Sequence, residues 1–237
     1  MAGCQASGKT TLSRAAVQRF GAAHFSIDDV YLTKAERQAL AEDVHPLFAV
    51  RGPPGTHDLA LARRTVEALR DAGEGDRTPI PAFAKLADER LPQSEWPVFE
   101  GRASAVIIDG WCVGATPLKP EELARPVNAL ETDEDAHGVW RGAWNAHLAG
   151  DYAEFFAGFD ATLFLAAPSF SVVLDWRCEQ EAGLLGVAPS DLPPERRAKL
   201  ERFIAHYQSL TEHMLSGGVQ AEATARLDRQ RRVLEVA

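Results

Sequence analysis

The stretch Gly3-Cys4-Gln5-Ala6-Ser7-Gly8-Lys9-Thr10 has the form G-x4-G-K-T, and its reading decides the fold. Glycines at these positions let successive backbone N–H groups turn inward around phosphate oxygens, and a helix starting directly after them adds its positive N-terminus. In such a loop Lys9 bridges the β- and γ-phosphates of a nucleotide and the Thr10 hydroxyl ligates Mg²⁺. Nucleotide contacts are therefore expected from every residue of this run and from Thr11 after it, with ATP and Mg²⁺ as cofactors. The plain alternative is a glycine-containing helix start that matches by chance. Against it, LSRAAVQRF (12–20) continues as a helix pattern closed by Gly21.

Working outward, AAHFSID (22–28), ASAVIIDG (103–110) and ATLFLAAP (161–168) read as short buried strands, with ATARLD (223–228) as a last one. Helices are expected over 58–73, with Leu59, Ala62, Val66 and Leu69 on one face, over 134–157, and from Pro168 to about Ala182. Residues 194–216 read as one long amphipathic helix. RGPPGTH (51–57) holds two glycines and two prolines and must be a shaped loop. Residues 74–97 read as a Pro-rich charged connection. Strands alternating with helices imply an α/β fold, a P-loop NTPase-type parallel sheet with helices on both faces, in one domain over 1–237. Only Met1 and Ala2 precede Gly3, so the strand that should lead into the loop is expected to be missing. The chain as it stands is accordingly expected to be less stable and to bind ATP poorly.

Composition narrows the partners. The formal charge is −9 over 237 residues, which disfavours nucleic acid, and positive charge for an anionic ligand must be gathered locally. Cys4, Cys112 and Cys178 form no CxxC pair and suit a reducing compartment. There is no signal-like start and no apolar run near membrane length, so a cytoplasmic protein acting on a small molecule, without membrane or nucleic-acid partners, is expected.

Acidic residues fall where strands end. A phosphotransfer site needs a base near the attacking hydroxyl and a carboxylate near the metal. Ser26-Ile27-Asp28-Asp29-Val30-Tyr31 follows the second strand, which places Asp28 as the base. Asp29 is read either as a site carboxylate or as a cap of the following turn. Asp109 ends the strand AVII and reads as the metal carboxylate beside Thr10.

These residues, with GCQASGKTTL (3–12), SIDDVYLT (26–33), HPLFAVRGPPGTHDLAL (45–61), FAKLADER (83–90), IIDGWCVGATP (107–117), DWRCEQE (175–181) and FIAHYQSLTEHML (203–215), resemble the D-glycerate 3-kinase family of P-loop kinases. The resemblance implies ATP-dependent phosphorylation of a small hydroxy acid, D-glycerate giving 3-phosphoglycerate. It implies acceptor loops around 45–58 and 83–97 and a lid around 175–197. Asp29, Tyr31, Arg51, Thr56, His57, Asp58, Lys85 and Arg90 become the substrate-side candidates, and Arg177 a lid arginine acting in catalysis with Asp28 and Lys9. Duller roles stand beside these: Arg51 and His57 as supports of their own loop, Lys85 and Arg90 as solvated charges, Arg177 paired with Glu181, and Trp111 as core. The chain departs from the family at Ala84, where the family has Asp, at Asp109, where it has Glu, and at Val30, where it has Phe. Ala84 keeps open a kinase for another hydroxylated metabolite, such as a pantothenate-like acid, a sugar acid or a nucleoside. A non-catalytic nucleotide switch is the remaining alternative.

Overall fold

The structure is a computed structural model describing residues 1–237. Its strands are β1 (Ala2–Gly3), β2 (Ala23–Ser26), β3 (Arg77–Pro79), β4 (Phe83–Ala84), β5 (Glu89–Arg90), β6 (Val98–Glu100), β7 (Val106–Asp109), β8 (Leu163–Ala166), β9 (Ala223–Leu227) and β10 (Val233–Val236). The helices are α1 (Lys9–Phe20), α2 (Lys34–Asp43), α3 (Leu59–Asp71), α4 (Pro120–Leu123), α5 (Ala129–Glu134), α6 (Val139–His147), α7 (Ala153–Phe156), α8 (Ser171–Leu185), α9 (Pro194–Ala205) and α10 (Gln208–Leu215).

The expected α/β architecture is present, with β2 parallel to β7 and β1, β8 and β9 parallel in a second group. β1 exists but is two residues long. Ala2 pairs with Phe164 of β8 and bridges to Gly110 just after β7, so β1 is the seam between the two groups of strands. Met1 N donates to Ile108 O at 2.6 Å, and Gly110 N to Met1 O at 3.1 Å. Beyond Met1, β7 and β8 flank a groove of about 620 Å³ whose walls include Val66, Leu69, Val106, Ile108 and Leu163.

Three expectations change. The sheet is not wholly parallel, because β10 returns antiparallel to β9. The connection 74–97 is not featureless: β3 pairs with β6 and β4 with β5, each antiparallel. The helix expected over 194–216 is two helices, broken at His206 and Tyr207. His206 Nδ1 lies 3.0 Å from Arg202 O and 3.3 Å from Phe203 O, so the imidazole serves carbonyls that a continuing helix would have used. Tyr207 can then turn its hydroxyl to Arg51 O, 2.9 Å away.

The main core lies between the strands and the helices, with Phe25, Ile27, Phe48, Trp140, Leu148 and Tyr152 all at 1% exposure or less. Along α3, Leu59, Ala62 and Leu69 are buried while Val66 is half-buried, and each large apolar side chain stabilises by about 1.5–3 kcal/mol. Asp58 caps that helix by accepting from Leu61 N at 2.8 Å. No helix is long and apolar enough to cross a membrane.

Candidate active site

The strand ends of β2 and β7 and the loop after β1 open into one cleft of about 400 Å³. Its lining brings together Lys9, Thr10, Asp28, Asp29, Tyr31, Arg51, Lys85, Asp109 and Arg177, which sequence reasoning had placed in separate roles. The carboxyl ends of parallel strands are where α/β sheets build sites, and side-chain alternation along β2 accounts for the selection. Ala23 and Phe25 turn into the core, while His24 and Ser26 remain part-exposed and line the cleft.

The loop before α1 is wound tightly. Gly3 at φ +147° and Gly8 at φ +98° adopt conformations that favour glycine, and a Cβ on Gly3 would sit 2.8 Å from Leu165 O. Ala6 takes a left-handed φ of +58°. Its carbonyl accepts from Arg231 Nε at 2.8 Å, a contact spanning 225 residues. Lys9 Nζ donates to Cys4 O at 2.8 Å; burial pulls its pKa down, opposed by Cys4, Asp109 and Asp28. Both amide atoms of Gln5, Ser7 Oγ and Arg177 Nε are buried without a hydrogen-bond partner. Such orphaned atoms cost about 1–3 kcal/mol each. Their convergence around Lys9 and Thr10 suits a polyphosphate, and Thr10 and Asp109 are the oxygen-bearing side chains beside it that could hold Mg²⁺.

Asp28 sits in a single turn, Ile27–Asp29, capped by Ser26. Its Oδ1 accepts from the Tyr31 hydroxyl at 2.8 Å, and its Oδ2 is 3.8 Å from Lys85 Nζ. Asp29 takes the capping role, accepting from Ser26 N at 3.0 Å while still lining the cleft. Burial pushes its pKa up to about 6 despite that bond. Burial would also raise Asp109, but hydrogen bonds from His24 and Ser26 and the charges of His24 and Lys9 outweigh it and hold the carboxyl at about 2. His24 Nε2 and Ser13 Oγ lie 2.9 Å and 3.2 Å from Asp109 Oδ2.

Other predicted residues do not line the cleft. Thr56 Oγ1 donates to Pro53 O and accepts from Gly52 N, which closes the 51–57 loop. His57 stacks on Tyr31 with centroids 4.6 Å apart and binds the Tyr152 hydroxyl through Nδ1 at 2.5 Å. Asp58 caps α3 and accepts from Arg90 at 3.0 Å. These four residues, Arg90 included, tie the acceptor-side loops together, and His57 Nε2 stays buried without a hydrogen-bond partner. Cys4 turns its buried thiol into the second core cluster, and burial pushes it up to about 11. Ser7, Gly8 and Thr11 line an adjoining cleft of about 400 Å³ with Glu179 and Arg231. Arg177 does not pair with Glu181, which takes Arg196 at 2.6 Å; it lies over the Phe203 ring and its Nη1 donates to Gln180.

Several site residues escaped sequence reasoning. His24 was legible in principle, two residues before Ser26 on one strand face. Tyr207 and Phe203 were read as helix stripe, and both also line the cleft. Trp111 is core as expected, yet its Nε1 donates to Gly52 O at 3.0 Å and it lines the cleft as well. Arg14 adds to Lys9, Arg51, Lys85 and Arg177, so positive charge gathers locally in an acidic protein.

No protein-family model matches the chain. It is 32% identical over 217 residues to the chloroplastic D-glycerate 3-kinase of Arabidopsis thaliana, covering 86% of this chain and 44% of that protein. It is 30% identical over 220 residues to the uncharacterized kinase mug58 of Schizosaccharomyces pombe, covering 87% of this chain and 76% of that protein. The chain thus spans less than half the length of the plant relative. Among solved structures, a D-glycerate 3-kinase from Cryptococcus neoformans superposes with a TM-score of 0.75 at 23% identity, covering 100% of this chain and 87% of that one. The YGR205w protein superposes with a TM-score of 0.70 at 22% identity over the same shares. These two likenesses establish the fold.

Proposed function

The chain belongs to the D-glycerate 3-kinase family, and from that premise we propose that it transfers the γ-phosphoryl group of ATP to a hydroxyl of a small hydroxy acid, D-glycerate giving 3-phosphoglycerate and ADP. The observation that carries this reading is the meeting of Lys9 and Thr10 with Asp28, Arg51 and Asp109 in one cleft. A nucleotide switch needs the first pair; a base beside an unoccupied arginine edge serves an acceptor.

In this reading Asp28 orients the acceptor hydroxyl and takes its proton as the O–P bond forms and the γ-phosphate leaves ADP. Tyr31 holds one oxygen of Asp28, leaving the other toward Lys85 and the acceptor. Arg51 binds the acceptor carboxylate as a planar fork. Lys9 and Arg177 stabilise charge that spreads over the transferring group. Mg²⁺ at Thr10 and Asp109 would neutralise charge on the β- and γ-oxygens. The unpaired, buried Cys4, Cys112 and Cys178 suit work in the reducing cytoplasm.

The test is ADP release from Mg²⁺-ATP with D-glycerate, beside a panel of other hydroxy acids, pantothenate and nucleosides. Acceptor-dependent turnover with D-glycerate above the rest supports the proposal. Turnover with only another acceptor moves the substrate, and turns attention to Ala84. No acceptor-dependent ADP from a folded protein removes the kinase reading.

A further inference from the structure

Asp88, at the tip of the β4–β5 hairpin, joins two guanidinium groups. Its Oδ2 accepts from Arg37 Nη2 at 2.6 Å and its Oδ1 from Arg51 Nη1 at 2.5 Å. Arg37 is fully buried, and its remaining bonds go to backbone: Nη1 to Leu32 O at 2.6 Å, Nε to Ala49 O at 3.5 Å, and Nη2 also to Asp88 O at 3.2 Å. Both guanidiniums lie against the Phe83 ring, 5.8 Å and 5.7 Å from its centroid. Asp88 is therefore locked from behind by a buried cation while it holds the cation that faces the cleft.

The backbone argues that the carboxylate matters. Asp88 has φ +55°, one of only three non-glycine residues with positive φ in the chain. Glycine adopts that conformation freely and other residues at a cost. A residue that bears the cost there also fixes a negative charge on one edge of Arg51. The opposite edge, Nη2 with Nε, makes no hydrogen bond in the structure, and Lys85, the other cation on this side, already stands 3.8 Å from Asp28. The Nη2 and Nε edge of Arg51 is thus the guanidinium edge that Asp88 leaves open, a bidentate seat for a single carboxylate.

We infer that Asp88 is a specificity-determining positioning residue that restricts the acceptor to a monoanion by occupying one edge of Arg51 with a fixed negative charge. The inference rests on the proposed function, since it concerns the acceptor of that same cleft. It acts through Arg51 and touches no reacting atom. The acceptor carboxylate on the open edge of Arg51 already faces Asp88 across the guanidinium. A second carboxylate adds a further like charge in that field, which between the dielectric limits of a protein surface and of water weakens binding by about tenfold against a neutral group.

D-lactate and tartronate test this directly, because they are three-carbon hydroxy acids that differ in a methyl against a second carboxylate. Their dissociation constants are measured by calorimetry on the protein with bound ATP analogue and Mg²⁺, for the native chain, Asp88→Asn and Asp88→Gly. Glycine suits φ +55° and retains the carbonyl that Arg37 uses, so it guards against a folding failure of the asparagine variant. In both variants the ratio of tartronate to lactate dissociation constants should fall about tenfold. Loss of Arg51 orientation weakens both acids alike and leaves the ratio unmoved. A ratio within about twofold of the native value in both variants overturns the inference while leaving the proposed function intact. If the native chain binds neither acid nor D-glycerate, the proposed function fails and this inference fails with it.

Discussion

The Tyr31 hydroxyl donates to Asp28 Oδ1 at 2.8 Å, and Tyr31 is itself fixed by His57, stacked 4.6 Å away. The candidate base is thus restrained by the acceptor-side loop, so the position of that loop and the alignment of the base are coupled.

Removing that restraint by Tyr31→Phe should lower kcat about tenfold, the scale of one hydrogen bond to a charged group, with the KM for ATP unchanged. Asp28→Asn should lower kcat by at least about a hundredfold while leaving ATP binding nearly intact. Steady-state kinetics with calorimetric ATP titration separates the two effects. Equal loss of ATP affinity and turnover would remove Asp28 from the base role.

Arg177 has a buried Nε with no partner and only Gln180 and the Phe203 ring as neighbours of its guanidinium. Arg177→Met should therefore leave the melting temperature within about a degree and reduce kcat by about 10²–10³, the range for a lost donor to transition-state charge. A lowered melting temperature with unchanged kcat assigns it to packing instead.

Two buried groups give stability opposite pH slopes. Burial pulls His57 down from 6.5 to about 4. Between those values only the unfolded chain binds that proton, and the contribution falls by about 3 kcal/mol as pH drops. Burial pushes Asp29 up from 3.8 to about 6. There the folded chain binds the proton, and the contribution falls by about 3 kcal/mol as pH rises. The two offset each other between pH 4 and 6. His57→Gln should expose the Asp29 slope, with unfolding free energy declining from pH 4 to pH 6 by about 3 kcal/mol while the native chain changes little. Urea midpoints at three pH values decide it, and a flat variant would count against the offset.

Far from the cleft, Arg141 Nη1 lies 3.3 Å from Asp135 Oδ2 and 3.6 Å from Glu131 Oε2, with all three side chains at 2% exposure or less. Arg141→Met leaves two carboxylates without their cation and should cost about 3–5 kcal/mol. Adding Glu131→Gln should restore part of it. A loss under about 1 kcal/mol in the single variant would show that the cluster is readily rebuilt.

The sequence made the local elements legible. The phosphate loop, the α3 face and the β7 strand follow from spacing and glycine placement over a few residues. Asp28, Asp109 and Lys9 were reachable because strand ends and motif spacing are local properties too. Thr56, His57 and Asp58 became substrate-side candidates through the family resemblance, and sequence spacing does not reveal that their side chains also bond within and beside their own loop. Arg231 and Asp88 were out of reach. Their partners, Ala6 and the pair Arg37 and Arg51, lie 225, 51 and 37 residues away, and no periodicity encodes such meetings. The break at His206 was hidden for a similar reason, since the apolar stripe carries on through it.

The seam at β1 changes what a nucleotide is to this protein. Met1 to Gly3 carry the backbone ladder from the β8 side to Ile108 and Gly110 on the β7 side, with α1 packed across it through Ser13 and Asp109. At the mouth of that seam stand Lys9 and Thr10 on one bank and Asp109 on the other. A polyphosphate gripped from both banks is a strut as well as a reactant, and it should slow amide exchange at Gly110 and in β8 beyond what the contacted residues alone explain. Unchanged exchange in β8 on saturation with an ATP analogue would argue against it. On the proposed function, the stiffness of the fold would then follow nucleotide occupancy, and the empty chain would be a softer object than the loaded one.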